Sequence, residues 1–166
     1  MAMNTDFVKD DWNVNEVSET LSCEEWLTSE IKKENDLCIV HLNIRTIHKY
    51  WDQLCVLLDK VLDKIDIIVL SETRIRYNSE RYVLYQFNSI HVIRQDCEGG
   101  GLSVFVRNTF SLRDNKISPA NFEGICVDVS NLKGLQVTIV AIYRPPYGKV
   151  ADFVDELDNL LQGNFF

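Results

Sequence analysis

From Leu37 the chain enters a continuous apolar run bounded by charge, Leu37-Cys38-Ile39-Val40-His41-Leu42-Asn43-Ile44, which is the pattern of a strand buried on both faces. After Thr46, a residue suited to cap a helix, Ile47, Trp51, Leu54, Leu58, Val61, Leu62 and Ile65 recur at spacings of three and four, which predicts an amphipathic helix. Asp66 to Glu72 then gives a second continuous apolar strand. Strand, helix, strand predicts a parallel βαβ unit with a right-handed crossover. In such a unit, function belongs at the carboxyl ends of the strands.

Beyond Glu72 the strands become shorter: Ser89 to Arg94, Gly101 to Arg107, Glu123 to Ser130 and Leu135 to Tyr143. Turn residues separate them at Asn78, Gly99 to Gly101, Asn108, Asp114 to Asn115 and Asn131 to Gly134, so antiparallel pairing is expected. Pro145 and Pro146 end the last strand, and Val150, Phe153, Val154, Leu157, Leu160 and Leu161 predict a final amphipathic helix. The predicted fold class is α/β, a mixed sheet with flanking helices. Upstream, Met1 to Leu21 shows no period, while Ser22 and Glu25 form a capping box ahead of a short helix from about Cys23 to Lys33. Residues 1–35 therefore read as an acidic tail with a short helix, and residues 36–166 as one folded domain.

Charge sharpens this division. The first 36 residues hold four Asp, six Glu and three Lys, a charge of −7, which leaves only −1 of the total −8 for the rest of the chain. That balance argues against broad nucleic-acid binding, where Lys and Arg displace counterions at phosphates. A local basic rim could still form from Arg74, Arg76, Arg81, Arg94, Arg107, Arg113 and Arg144. No apolar run approaches the ~18 residues of a membrane-spanning helix. Met1 to Val14 lacks the basic start and apolar stretch of a secretory signal, so an intracellular location is expected, nucleus or cytoplasm not distinguished. The five cysteines are widely spaced, mostly within apolar segments and without a CxxC pair, which predicts reduced thiols.

Two polar residues close apolar strands at the same expected edge, Asn43 and Glu72. A hard divalent cation takes oxygen ligands, typically one or two carboxylates plus waters and substrate phosphate, and a neutral amide beside it orients phosphate without cancelling charge. The structural alternative is that Glu72 accepts from a nearby Arg and Asn43 satisfies loop backbone. Gly99-Gly100-Gly101 lacks the context of a phosphate-binding loop and reads as a tight turn. His41, His48 and His91 show no metal-ligand spacing and read as structural.

Read together, His41-Leu42-Asn43-Ile44-Arg45-Thr46, then Asp66-Ile67-Ile68-Val69-Leu70-Ser71-Glu72-Thr73, then Gly99-Gly100-Gly101-Leu102-Ser103-Val104-Phe105-Val106, then Tyr143-Arg144-Pro145-Pro146 followed by Phe153 and Leu157, occur in an order that resembles the endonuclease domain of non-LTR retrotransposons. That domain belongs to the endonuclease/exonuclease/phosphatase superfamily, with the apurinic/apyrimidinic endonucleases. The resemblance covers about residues 36–162. It implies a magnesium-dependent phosphodiesterase that nicks target DNA to prime reverse transcription, with Asn43 orienting the phosphate or its water, Glu72 binding Mg2+ and Tyr143 contacting the scissile phosphate. Arg74 stands where the family often has Trp. The family continues into a Gly-Asp-Phe-Asn motif and later an Asp and an Asp-His pair, none of which this chain matches; Gly163-Asn164-Phe165-Phe166 is only a superficial echo.

The chain is therefore expected to hold the amino-terminal half of the family's two-sheet sandwich, roughly its first sheet and helices, with little or no cleavage of its own. A bare apolar sheet face is expected to drive self-association or capture of a completing chain. The alternative is a non-enzymatic protein-interaction module derived from that domain.

Overall fold

The computed structural model describes residues 37–93 and 99–164. The acidic tail, the predicted helix at Cys23 to Lys33, Cys23, Arg94 and Cys97 lie outside the described residues.

The βαβ unit is present. Strand β1 (Ile39–Asn43) pairs in parallel with β2 (Ile67–Ser71), and helix α1 (Ile47–Asp59) connects them. The helical period carries on in the sequence through Val61, Leu62 and Ile65, but α1 stops at Asp59 and a 3-10 turn over Leu62–Lys64 returns the chain to the sheet. Thr46 holds the cap position with its carbonyl accepting from the Lys49 amide, but its hydroxyl donates to the Arg45 carbonyl and makes no cap bond to the helix. Ile47, Leu54 and Leu58 of α1 pack with Ile68, Leu70 and Phe105.

β4 (Leu102–Arg107) runs antiparallel to β2, and β3 (Phe87–Val92) antiparallel to β4, so the first sheet has the order β1-β2-β4-β3 and is mixed. The mixed α/β class is what the apolar pattern predicts. Two expectations need correction. β1 is an edge strand with exposed and half-buried residues in alternation, not a strand buried on both faces; β2, all five of whose residues are buried, is the inner one. The strands after Asn108 also leave the first sheet. β5 (Ser111–Asp114), β6 (Glu123–Ser130) and β7 (Gln136–Tyr143) form a second, antiparallel sheet in the order β5-β6-β7. β5 was not legible, because four residues with one large apolar side chain carry no period.

The two sheets pack against each other. Ile67 and Val69 of β2 and Leu102, Val104 and Val106 of β4 share a core with Ile125, Val127 and Val129 of β6 and Ala141 of β7. The inner face of the first sheet is therefore covered within the chain, contrary to the expected bare face. Its β1 margin is open, where Ile39 is 45% exposed. α2 (Val150–Asn164) lies on the second sheet's segment, with Phe153 edge-on to Phe122 and both Glu156 oxygens accepting from the Ala120 and Asn121 amides at 2.6 and 2.7 Å. No helix among the described residues is long and apolar enough to cross a membrane.

At the end of the sheet remote from Asn43, Arg107 works as a staple. Its Nε donates to the Ile65 carbonyl at 2.9 Å and its Nη1 to Gln86 at 3.1 Å, while Asp66 lies 3.9 Å away. Asp66 in turn accepts from the Cys38 amide at 2.9 Å, tying the start of β2 to β1.

The covered face makes a direct prediction. Ile67→Ala, opening a hole between the sheets, is expected to lower stability by about 2–5 kcal/mol. Ile39→Ala, on the open margin, should change it by no more than about 0.5 kcal/mol. Urea titrations of the two variants check this, and equal small effects would contradict the two-sheet packing.

Candidate functional site

Asn43 and Glu72 meet at the carboxyl ends of β1 and β2, where Asn43 Nδ2 donates to Glu72 Oε1 at 3.0 Å. Strand geometry alone would not bring them together. In the β1–β2 register Asn43 stands opposite Ser71, so those two side chains share a face and a regular continuation would turn Glu72 to the other one. Glu72 instead adopts a left-handed backbone, φ 54°, which breaks the alternation and swings its carboxylate toward Asn43. Arg45 and Arg74 are also left-handed, at φ 56° and 54°. Non-glycine residues hold this conformation at roughly 1–3 kcal/mol each, and only where neighbours enforce it.

Backbone bonds supply the enforcement. The Ile44 amide donates to the Ser71 carbonyl at 3.0 Å and the Ile47 amide to Thr73 at 3.0 Å. The Thr73 and Arg74 amides donate to the Gly101 and Gly100 carbonyls at 3.1 and 2.9 Å. Gly100 and Gly101 sit at φ 85° and 90°, and a Cβ at Gly101 would run into the Thr73 hydroxyl, so both glycines are required on two counts. The triple glycine is thus a tight turn, as its sequence suggests, whose task is to hold the loop that aims Glu72.

Tyr143 closes β7 and reaches the same region from the second sheet, half-buried against the inter-sheet core. Burial pushes its phenol above the ordinary value of 10.0, and the carboxylates of Glu72 and Glu123 push it further, against a smaller opposing effect of Arg74. At neutral pH Tyr143 is a hydroxyl donor. Glu123, which no sequence pattern singled out, lies directly across from Tyr143 in the β6–β7 register, buried to 9% exposure, and accepts from the Gly101 amide. Its only signal was a carboxylate opening a strand whose next four residues, Gly124 to Val127, are apolar.

The structural alternative for the pair is visible as well. Asn43 Oδ1 accepts from the Arg45 amide at 3.1 Å, and the Arg74 guanidinium stands 3.7 Å from Glu72 Oε2. Among the described residues no group of three or more His, Cys, Asp or Glu is placed to hold a metal ion. One carboxylate still fits a magnesium ion in its sparing mode, with water and phosphate filling the shell, though Arg74 offsets part of the charge such an ion needs.

Of the candidate rim, Arg74 borders Glu72, and Arg144 follows Tyr143 with its guanidinium turned to the Pro145 and Gly148 carbonyls at 3.3 Å. Arg81 lies against His48 and Tyr82, Arg107 is the staple at the far end, and Arg113 pairs with Asp128 at 2.5 Å. The histidines have local partners: His41 with Ser71 at 3.1 Å, His48 with Tyr82 at 3.2 Å, His91 with Ser103 at 2.8 Å. Burial holds the His91 pKa below its ordinary value and pushes the Cys55 and Cys126 thiols up, which disfavours thiolate chemistry at those cysteines.

No family model and no curated protein sequence matches the chain. Among solved structures it is similar to the AP endonuclease LMAP from Leishmania major, at 12% identity and a TM-score of 0.49, covering 75% of this chain and 44% of that one. The catalytic domain of Xenopus laevis APE2 is similar at 14% identity and a TM-score of 0.48, with 75% and 49% covered. The chain spans less than half the length of either.

Two outcomes follow from the site's electrostatics and packing. Glu72→Gln should lower the Tyr143 phenol midpoint, read by ring-carbon NMR, because it removes a carboxylate that disfavours phenolate. The raised native pKa also means that the unfolded state loses its proton first, so Tyr143's contribution to stability is intact below about pH 10 and falls as pH rises beyond it. Separately, the Thr73 hydroxyl is buried with no hydrogen-bond partner among the described residues. Thr73→Val should therefore raise stability by about 1 kcal/mol by removing an unsatisfied group, measured by urea unfolding.

Proposed function

We propose that this chain is a phosphodiester-directed module of the endonuclease/exonuclease/phosphatase type, of the branch found in non-LTR retrotransposons, with DNA as its substrate class and little or no cleavage by itself. The observation that carries this reading is the Asn43–Glu72 hydrogen bond of 3.0 Å, made by a left-handed Glu72 at the carboxyl ends of two parallel strands. Backbone strain held against a carboxylate at that edge is what a preorganised site looks like. Asn43 would orient a phosphate oxygen through its amide, and Tyr143, kept protonated by burial and two carboxylates, would donate to the phosphate. Glu72 would hold the magnesium ion, which, when bound, supplies charge to stabilise the phosphoryl and leaving oxygens.

Low activity follows from what the motifs do not provide. No residue of the chain is matched to the family's water-activating Asp or its transition-state His, and such groups act as a unit whose loss is worth orders of magnitude in rate. A second reading, a non-enzymatic interaction module, draws support from Arg45 and Arg74, which engage the second atoms of the Asn43–Glu72 pair and make it a loop lock.

Mn2+ titration followed by NMR separates the two. The phosphodiester reading expects selective broadening at Asn43, Glu72 and Tyr143 that is lost in Glu72→Ala, together with magnesium-dependent plasmid nicking no faster than that of Glu72→Ala. No selective broadening would favour the interaction module, whereas nicking that vanishes in Glu72→Ala would overturn the expectation of low activity.

A further inference from the structure

We propose that Glu123 is a positioning residue that clamps the two sheets together at the site, fixing the Gly100–Gly101 turn, and through it the left-handed Glu72, relative to the strand that carries Tyr143. The chain of contacts is continuous. Glu123 opens β6 on the second sheet and faces Tyr143 across the β6–β7 ladder. Its carboxylate crosses to the first sheet and accepts from the Gly101 amide. The carbonyls of Gly101 and Gly100 then receive the Thr73 and Arg74 amides, the two residues that follow Glu72. A carboxylate only 9% exposed would be costly to bury without strong donors, and a charge-assisted bond to a backbone amide is such a partner.

Sterics support the same role. A Cβ at Gly100 would overlap the Glu123 carboxyl group, so the two are packed directly against each other at this edge. The strained residues at φ 54° on either side of Thr73 are held on one side by the Ile44 and Ile47 amides and on the other by the glycine turn. Glu123 anchors that turn to the second sheet. Tyr143 and Glu72 come from different sheets, so their spacing depends on a link between sheets at this edge, and Glu123 provides one.

The inference rests on reading Asn43, Glu72 and Tyr143 as the site, and its test includes a readout independent of that reading. Amide hydrogen exchange on the full chain compares wild type with Glu123→Ala and Glu123→Gln. In Glu123→Ala the amides of Gly101, Thr73 and Arg74 should exchange about tenfold faster, the scale of losing one hydrogen bond to a charged acceptor. Those of Arg107 and Asn108, bonded to the Asp66 and Gln86 carbonyls at the far end, should not change. Glu123→Gln keeps an acceptor oxygen and should restore most of the protection.

Mn2+ affinity at Glu72 should weaken about tenfold in Glu123→Ala, although Glu123 is no ligand, and recover in Glu123→Gln. Unchanged exchange at Thr73 and Arg74, equal acceleration at Arg107 and Asn108, or a Glu123→Gln variant no better than Glu123→Ala would each overturn the clamp. If Glu123→Ala does not fold, Glu123→Asp, one methylene shorter, takes its place with the same readouts. A wild type that ignores Mn2+ while its amides respond to Glu123→Ala would sink the functional reading and leave the clamp standing.

Discussion

Everything in this fold depends on β2 being apolar on both faces. Ile68 and Leu70 need a cover on one side and Ile67 and Val69 on the other, and a lone helix can satisfy only the first pair. α1 takes the first face; β6 and β7 take the second, reaching across to β4 as well. Burial of apolar area on this scale is the main favourable contribution to folding, and it is what holds two sheets in a fixed relation. The polar edge beyond β2 inherits that relation. Asn43 and Glu72 belong to the first sheet and Tyr143, packed against the inter-sheet core, to the second, so the hydrophobic sandwich sets the distance between them.

At that edge the balance reverses, and backbone strain is held in place by hydrogen bonds. Three left-handed non-glycine residues, Arg45, Glu72 and Arg74, occur within one loop cluster. Their stabilisation comes from amides on the Ser71, Thr73, Gly100 and Gly101 carbonyls, with Glu123 gripping the turn from across the interface. A cluster of carboxylate, amide and phenol held this way has little freedom to collapse on itself, which is the condition for meeting a phosphate without rearrangement. Its local charge is mixed, since Arg74 beside Glu72 offsets one negative charge with one positive. With −1 distributed over residues 37–166, the domain as a whole carries no charge excess that would attract nucleic acid, and the positive charge near this edge is local, such as Arg74.

The apolar pattern alone determined the βαβ unit, the strands Glu123 to Ser130 and Leu135 to Tyr143 nearly to the residue, the last helix and the glycine turn, because these are governed by local periodicity and turn chemistry. Ordered motifs pointed to Asn43, Glu72 and Tyr143, and the fold brings the first two into hydrogen-bond contact. Tertiary structure decided the rest. That β1 lies at an edge, and that the later strands split off to cover β2 and β4, depends on which faces find partners far away in sequence, and a run of apolar residues reads the same in either position. The meeting of Asn43 with Glu72 required a reversal of strand alternation at one φ angle, and Glu123 entered the site only through a register between β6 and β7 and a contact with a turn 22 residues away. Neither leaves a period in the sequence, because both arise from long-range hydrogen bonds, the first between neighbouring strands of one sheet and the second across the two sheets.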